Sequence, residues 1–186
     1  FSKGVMIPYR AIFSNMEFAK KVLPGLDHTK NMVSMLPSAH MYGLMFELLY
    51  ELSVGAHVHF LSRVPSPKII MQAMADVKPY LVIAVPLVIE KIYKSKVKPI
   101  LEKEGVKVLM KLPVLSQMVM NKIKEELVNA FGGEFYQVII GGAAFNKEVE
   151  AFFKKIGFPV TVGYGMTECA PIITYDDLNV EKLYSC

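Results

Sequence analysis

The chain has 186 residues, 53% of them hydrophobic and 20% charged, with a formal net charge of +4. That is long enough for one domain with a core and too apolar for a disordered chain. The charge excess is mild, and Lys94, Lys96 and Lys98 read as a solvated helix face rather than a nucleic-acid patch.

Cys169 and Cys186 cannot make a disulfide framework, which suits a reducing, cytoplasmic setting. No signal peptide is visible, and the longest apolar run, Tyr80 to Ile89, contains Pro86 and falls short of the roughly 20 residues of a membrane span.

The predicted elements alternate strand and helix. Met32 to Leu36 is a short apolar strand ending at Pro37, and Met41 to Leu52 is a helix with Ser38 as its expected cap and Gly55 closing it. Ala56 to Leu61 alternates apolar and polar residues as a strand does. Ser66 is expected to cap a helix from Pro67 to Asp76, with Pro67 at its favoured first position.

Tyr80 to Val85 is nearly all apolar, the mark of a strand covered on both faces of a parallel sheet. Pro86 opens a helical stretch toward Lys103, and Pro113 separates it from a second, Val114 to Phe131. Phe135 to Ile140 is a strand ending in Gly141-Gly142. Asn146 caps a helix to Ile156, with Glu148 and Glu150 in its first turn, where the helix dipole favours negative charge. The last predicted strand, Pro159 to Val162, ends in Gly163-Tyr164-Gly165. This rhythm implies an α/β fold, a mainly parallel sheet with helices on both faces.

Three segments sit at strand ends, where open parallel sheets bind ligands. In Gly141-Gly142-Ala143-Ala144 the glycines allow close backbone approach to a ligand, and a tight strand-to-helix turn would use them equally. In Gly163-Tyr164-Gly165-Met166-Thr167-Glu168 the uncrowded Tyr164 ring suits a planar base, the Thr167 hydroxyl a phosphate oxygen, and the Glu168 carboxylate a Mg²⁺ ion. Thr167 could equally be a helix cap. The third segment, Leu36-Pro37-Ser38-Ala39-His40-Met41-Tyr42-Gly43, places His40 near a helix start, as a ligand contact or a structural histidine.

Together these segments resemble the adenylate-forming superfamily, which includes acyl-CoA synthetases, luciferases and peptide-synthetase adenylation domains. Tyr164-Gly165-Met166-Thr167-Glu168 matches its Tyr-Gly-x-Thr-Glu motif, and Gly141-Gly142-Ala143 its upstream glycine turn. Leu36-Pro37 through His40 and Gly43 resembles its Leu-Pro-x-x-His-x-x-Gly segment. Ser2-Lys3-Gly4-Val5 resembles the tail of its phosphate loop, with Ser2 in place of the usual proline. The segment from Pro67 to Tyr93 and the helical excursion after it are similar to long-chain fatty acid ligases.

The resemblance implies ATP/AMP, Mg²⁺ and CoA as cofactors and co-substrates, and a fatty acid or other carboxylate as substrate. Tyr164 would stack on adenine, and Gly141, Gly142 and Ala143 would line its pocket, with Gly163, Gly165 and Met166 in the same nucleotide-binding segment. Thr167 would bond the α-phosphate, Glu168 would hold Mg²⁺, Lys3 would face the outgoing pyrophosphate, and His40 would sit by the acyl carboxylate. Residues 1–186 are then expected to form part of an AMP-binding domain without the family's small C-terminal domain.

Such a piece is expected to be inactive alone and to self-associate. The excursion with Met110, Met118 and Met120 is expected to lie over the acyl pocket or at a membrane surface. An adenylation domain serving a carrier protein is the alternative. A dinucleotide-binding or purely structural α/β module would show an early Gly-x-Gly-x-x-Gly turn, which the sequence lacks.

Overall fold

Leu81–Ala84 (β3) and Gln137–Ile140 (β4) are wholly buried strands, and they pair in parallel at the middle of a six-stranded sheet. The computed structural model describes residues 4–23, 25–63, 65–176 and 178. Lys3, expected at the pyrophosphate, lies outside the described residues. Asn31–Ser34 (β1) and His57–Phe60 (β2) pair in parallel on one side of β3, and Val160–Gly165 (β5) pairs in parallel with β4 on the other. The order is β2-β1-β3-β4-β5-β6, so the chain reverses its direction of travel between β1 and β3.

The mainly parallel sheet with helices on both faces is as expected, with one strand added. Ile172–Tyr175 (β6) was not predicted, and it runs antiparallel to β5 at the sheet edge. A short turn joins the two strands, and a link that short permits only an antiparallel neighbour. The sheet is mixed and mostly parallel.

Alternation along each strand sends side chains to opposite faces. Val82, Ala84, Val138 and Ile140 join one apolar core, and Leu81, Ile83 and Ile139 join another. The first core is covered by Pro67–Val77 (α4), by the excursion between β3 and β4, and by Lys147–Lys155 (α9). The second is covered by Tyr9–Val22 (α1) and by one helical run, Met41–Leu44 (α2), a π turn Met45–Leu49 and Tyr50–Ser53 (α3). Burial on both faces explains why these strands read as continuous apolar runs.

The excursion is more broken than predicted. It consists of Pro86–Ile92 (α5), a π turn Tyr93–Val97, Lys98–Leu101 (α6), Glu104–Leu109 (α7) and Pro113–Ala130 (α8). Pro99 cannot donate to the helical ladder, and the π turn falls just before its helix. Among the described residues no helix is long and apolar enough to cross a membrane.

Candidate functional site

The carboxyl ends of β1, β3, β4 and β5 open on one side of the sheet, beside the reversal between β1 and β3. β1 leads to His40, β4 to Gly141-Gly142, and β5 to Tyr164. His40, not the expected Ser38, caps α2: its Nδ1 accepts the Tyr42 N–H at 3.2 Å. An imidazole that accepts at Nδ1 carries its proton on Nε2, which leaves an N–H for a ligand.

The loop carrying His40 is held from behind. The buried Glu47 carboxylate accepts the backbone N–H groups of Leu36 at 2.7 Å and Met35 at 3.0 Å, and the Ser34 hydroxyl at 3.2 Å. Burial pushes the Glu47 carboxyl up to about 7, while those three hydrogen bonds oppose the shift by favouring its anion. Four residues on, Glu51 is fully buried and pushed up to about 9 by burial and then by the Glu47 charge.

Two glycines are fixed by geometry. Gly142 has φ +84°, a conformation that L side chains rarely adopt. At Gly165 a Cβ would run into the Pro171 carbonyl oxygen, so the β5–β6 hairpin closes only with glycine there.

A cavity opens at these strand ends on the face covered by α1. Phe18, Ala19 and Val22 of α1 and its C-terminal cap Leu23 form one wall, and Met41, Tyr42 and Phe46 another. Ile83 and Ile139 lie at the sheet, and Pro171, Ile172 and Tyr175 complete the apolar part. His40, Gly141, Gly142, Gly163, Tyr164, Gly165, Met166 and Thr167 line the same cavity, so eight of the expected site residues meet there despite their separation in sequence. Tyr42, absent from the expected set, donates its hydroxyl to the Ile139 carbonyl at 3.3 Å, and its ring lies against Gly141. Its one sequence signal was its place two residues after His40.

A second hollow is lined by Gly142, Ala143, Ala144, Phe145, Lys147 and Tyr164. Tyr164, 53% exposed, therefore borders both compartments. Thr167 opens a 3-10 turn, Thr167–Cys169, whose preceding residue is Met166, so Thr167 is not a helix cap. Glu168 is exposed and lines neither compartment. Among the described residues no group of three or more His, Cys, Asp or Glu could hold a metal. A Mg²⁺ ion fits here only in its usual manner, on one carboxylate, water and substrate phosphates, and the exposed Glu168 offers that carboxylate.

The excursion does not lie over the apolar cavity, the first of the two places expected for it. Met120 packs in the core on the opposite face of the sheet, Met110 packs against that core, and no residue of 86–131 lines the apolar cavity. Met110 and Met120 fill ordinary core space, whereas Met118 is exposed.

An apolar cavity thus adjoins a glycine-lined hollow at the carboxyl ends of parallel strands, the place where α/β sheets bind ligands. Residues 1–186 match the model of the AMP-binding enzyme family, and the chain belongs to that family. It is 25% identical to long chain acyl-CoA synthetase 8 of Arabidopsis thaliana, over 94% of this chain and 28% of that protein. It is 26% identical to the Homo sapiens long-chain-fatty-acid–CoA ligase ACSBG2, over 99% of this chain and 31% of that protein. The chain thus spans under a third of the length of these relatives.

Among solved structures, a malonyl-CoA ligase in a ternary product complex with methylmalonyl-CoA and AMP superposes with a TM-score of 0.64 at 22% identity, over 95% of this chain and 32% of that one. A benzoate CoA ligase from Burkholderia xenovorans LB400 superposes with a TM-score of 0.64 at 19% identity, over 94% and 30%. These structures share the fold.

Proposed function

We propose that this chain forms the acyl- and adenine-binding part of an ATP-dependent long-chain fatty acid–CoA ligase. The observation that carries the reading is the apolar cavity between α1 and the sheet, with His40 and Thr167 in its lining and Tyr164 shared with the glycine-lined hollow. The names of the long-chain relatives support the choice of acyl group.

In the first step a carboxylate oxygen of the fatty acid attacks the α-phosphorus of ATP. The bond from that phosphorus to the bridging oxygen breaks, and pyrophosphate leaves with the electron pair. In the second step the CoA thiol gives up its proton to water, its sulfur bonds to the acyl carbon, the bond from that carbon to the phosphate oxygen breaks, and AMP leaves with the electron pair.

The apolar walls hold the alkyl chain, removing its surface from water at about 25 cal/mol per Å². The His40 Nε2–H donates to the carboxylate at the cavity mouth and steers it. The Thr167 hydroxyl donates to the α-phosphate, and Tyr164 holds the adenine plane. Bringing two anions together requires such fixed donors aimed at the developing charge. Glu168, together with the substrate phosphates, would hold a Mg²⁺ ion, which would supply neutralising charge there.

The test is fatty-acid-dependent exchange of labelled pyrophosphate into ATP by the whole protein that carries this chain. Exchange should require a long-chain acid and fall sharply in Tyr164→Ala. Exchange driven only by amino or aryl acids would refute the acyl assignment. Transfer to a carrier-protein phosphopantetheine but not to CoA would refute the acceptor.

A further inference from the structure

Asn15 lies near the middle of α1, on the face that carries Ile12, Met16 and Ala19 into the core, yet it is only 7% exposed. A buried amide among apolar neighbours must find partners. Its Nδ2 donates to the Ala11 carbonyl one turn back at 3.0 Å and to the Cys169 carbonyl at 3.2 Å, and its Oδ1 accepts the Ile172 N–H at 3.0 Å. One side chain thereby grips both ends of the Cys169–Ile172 stretch, across more than 150 residues of sequence.

That stretch is the return path of the hairpin that presents Thr167 and Glu168. Internally it is tied by Met166 N–H to the Pro171 carbonyl at 2.8 Å and by Ala170 N–H to the Thr167 carbonyl at 3.2 Å. Neither bond fixes the hairpin against the rest of the molecule, whereas the Asn15 bonds fix it to α1. One turn onward, Phe18, Ala19 and Val22 form the cavity wall, and Phe18 also meets Tyr175 of β6 edge-on at 6.1 Å.

We propose that Asn15 is a positioning residue for the adenylation step. It sets the distance between the wall that holds the acyl chain and the turn that holds the α-phosphate, so that the two reacting groups meet in register. The proposal rests on the function proposed above. Its physical basis is that displacement of about 1 Å at a site remote from the chemistry can slow a reaction substantially.

Two substitutions separate this role from bulk. Asn15→Leu keeps the size and removes all three bonds. Asn15→Asp keeps the acceptor for Ile172 N–H, loses the donor to Cys169, and carries the test where the leucine variant folds poorly. Pyrophosphate exchange by the whole protein is measured well below its unfolding temperature, with amide hydrogen exchange of the segment 166–172.

Asn15→Leu should lower the exchange rate at saturating substrates about tenfold or more, the equivalent of one or two lost buried hydrogen bonds, with Asn15→Asp intermediate. The KM for fatty acid should stay within about twofold, because the apolar walls are unchanged. In a Thr167→Val background the Asn15 substitutions should add little, since both act on one contact. Amide protection should fall in 166–172 and stay level in β3 and β4.

Unchanged kinetics, full additivity with Thr167→Val, or protection lost throughout the sheet would each overturn the proposal. A wild-type protein with no fatty-acid-dependent exchange defeats the proposed function and this catalytic role with it. Unchanged protection of 166–172 in an active protein defeats the role of Asn15 alone.

Discussion

Replacing Glu51 by glutamine should flatten the fall of stability with pH. The helical run from Met41 to Ser53 buries two carboxyl groups four residues apart, Glu47 at 1% and Glu51 at 0% exposure. Both Glu51 oxygens lack a hydrogen-bond partner among the described residues. Burial, then the Glu47 charge, pushes Glu51 from an ordinary 4.5 to about 9. The folded state keeps a proton there that the unfolded chain releases above pH 4.5, so folding is favoured most below that pH and progressively less as pH rises toward 9.

At about 1.4 kcal/mol per unit, the three units from pH 5 to pH 8 remove roughly 4 kcal/mol, a large share of a domain's typical 5–15 kcal/mol. Urea unfolding at pH 5, 6, 7 and 8 measures this. The wild type should lose stability steeply, and Glu51→Gln should lose much less and be the more stable at pH 8. A slope remaining below pH 7 in the variant belongs to Glu47. Parallel profiles for the two proteins would refute the reading of Glu51 as a carboxyl kept neutral by burial.

Gly165→Ala should destabilise by about 1–3 kcal/mol, because its Cβ meets the Pro171 carbonyl; an unchanged melting temperature would count against the tight hairpin. Val22→Trp intrudes on the apolar cavity. It should cut kcat/KM for long-chain acids about tenfold while short acids are still activated, as a panel of chain lengths in the exchange assay will register. Glu168→Gln should slow adenylation at least about tenfold with little change in melting temperature, since the side chain is exposed; normal rates across Mg²⁺ concentrations would remove it from the metal site.

Local rules made much of this architecture readable. β3 and β4 announced themselves because a strand covered on both faces has no polar alternation, and the Ser66 and Asn146 caps form as the sequence suggested, accepting from Ile69 and Val149. α1 went unread, though Ile12, Met16, Ala19 and Leu23 recur at helical spacing, because Pro8 precedes it without a capping side chain. β6 is only four residues after a proline, and its partner β5 is supplied by tertiary pairing.

Ser38 is the commoner kind of cap, yet His40 reaches Tyr42 N–H because the Leu36–Pro37 loop is already held by Glu47. That the glycine turns and Tyr164 meet at one edge of the sheet was legible, since strand ends in a parallel sheet must share a side. The apolar cavity was not, because its α1 wall and its Tyr42 contact come from packing across the sheet. Glu47 and Glu51 carried one usable signal: an otherwise apolar helix with no polar face is a buried one, so its acids must be buried too.

A crystal structure of the whole protein with a non-hydrolysable long-chain acyl-adenylate bears most directly on the central claim, that one site at the strand ends takes both halves of the ligand. The account predicts adenine against Tyr164 beside Gly142 and Ala143, the acyl carbonyl near His40, and the alkyl chain between α1 and the sheet. An alkyl chain bound instead on the α5–α8 side of the sheet, or an adenine ring away from Tyr164, would contradict it.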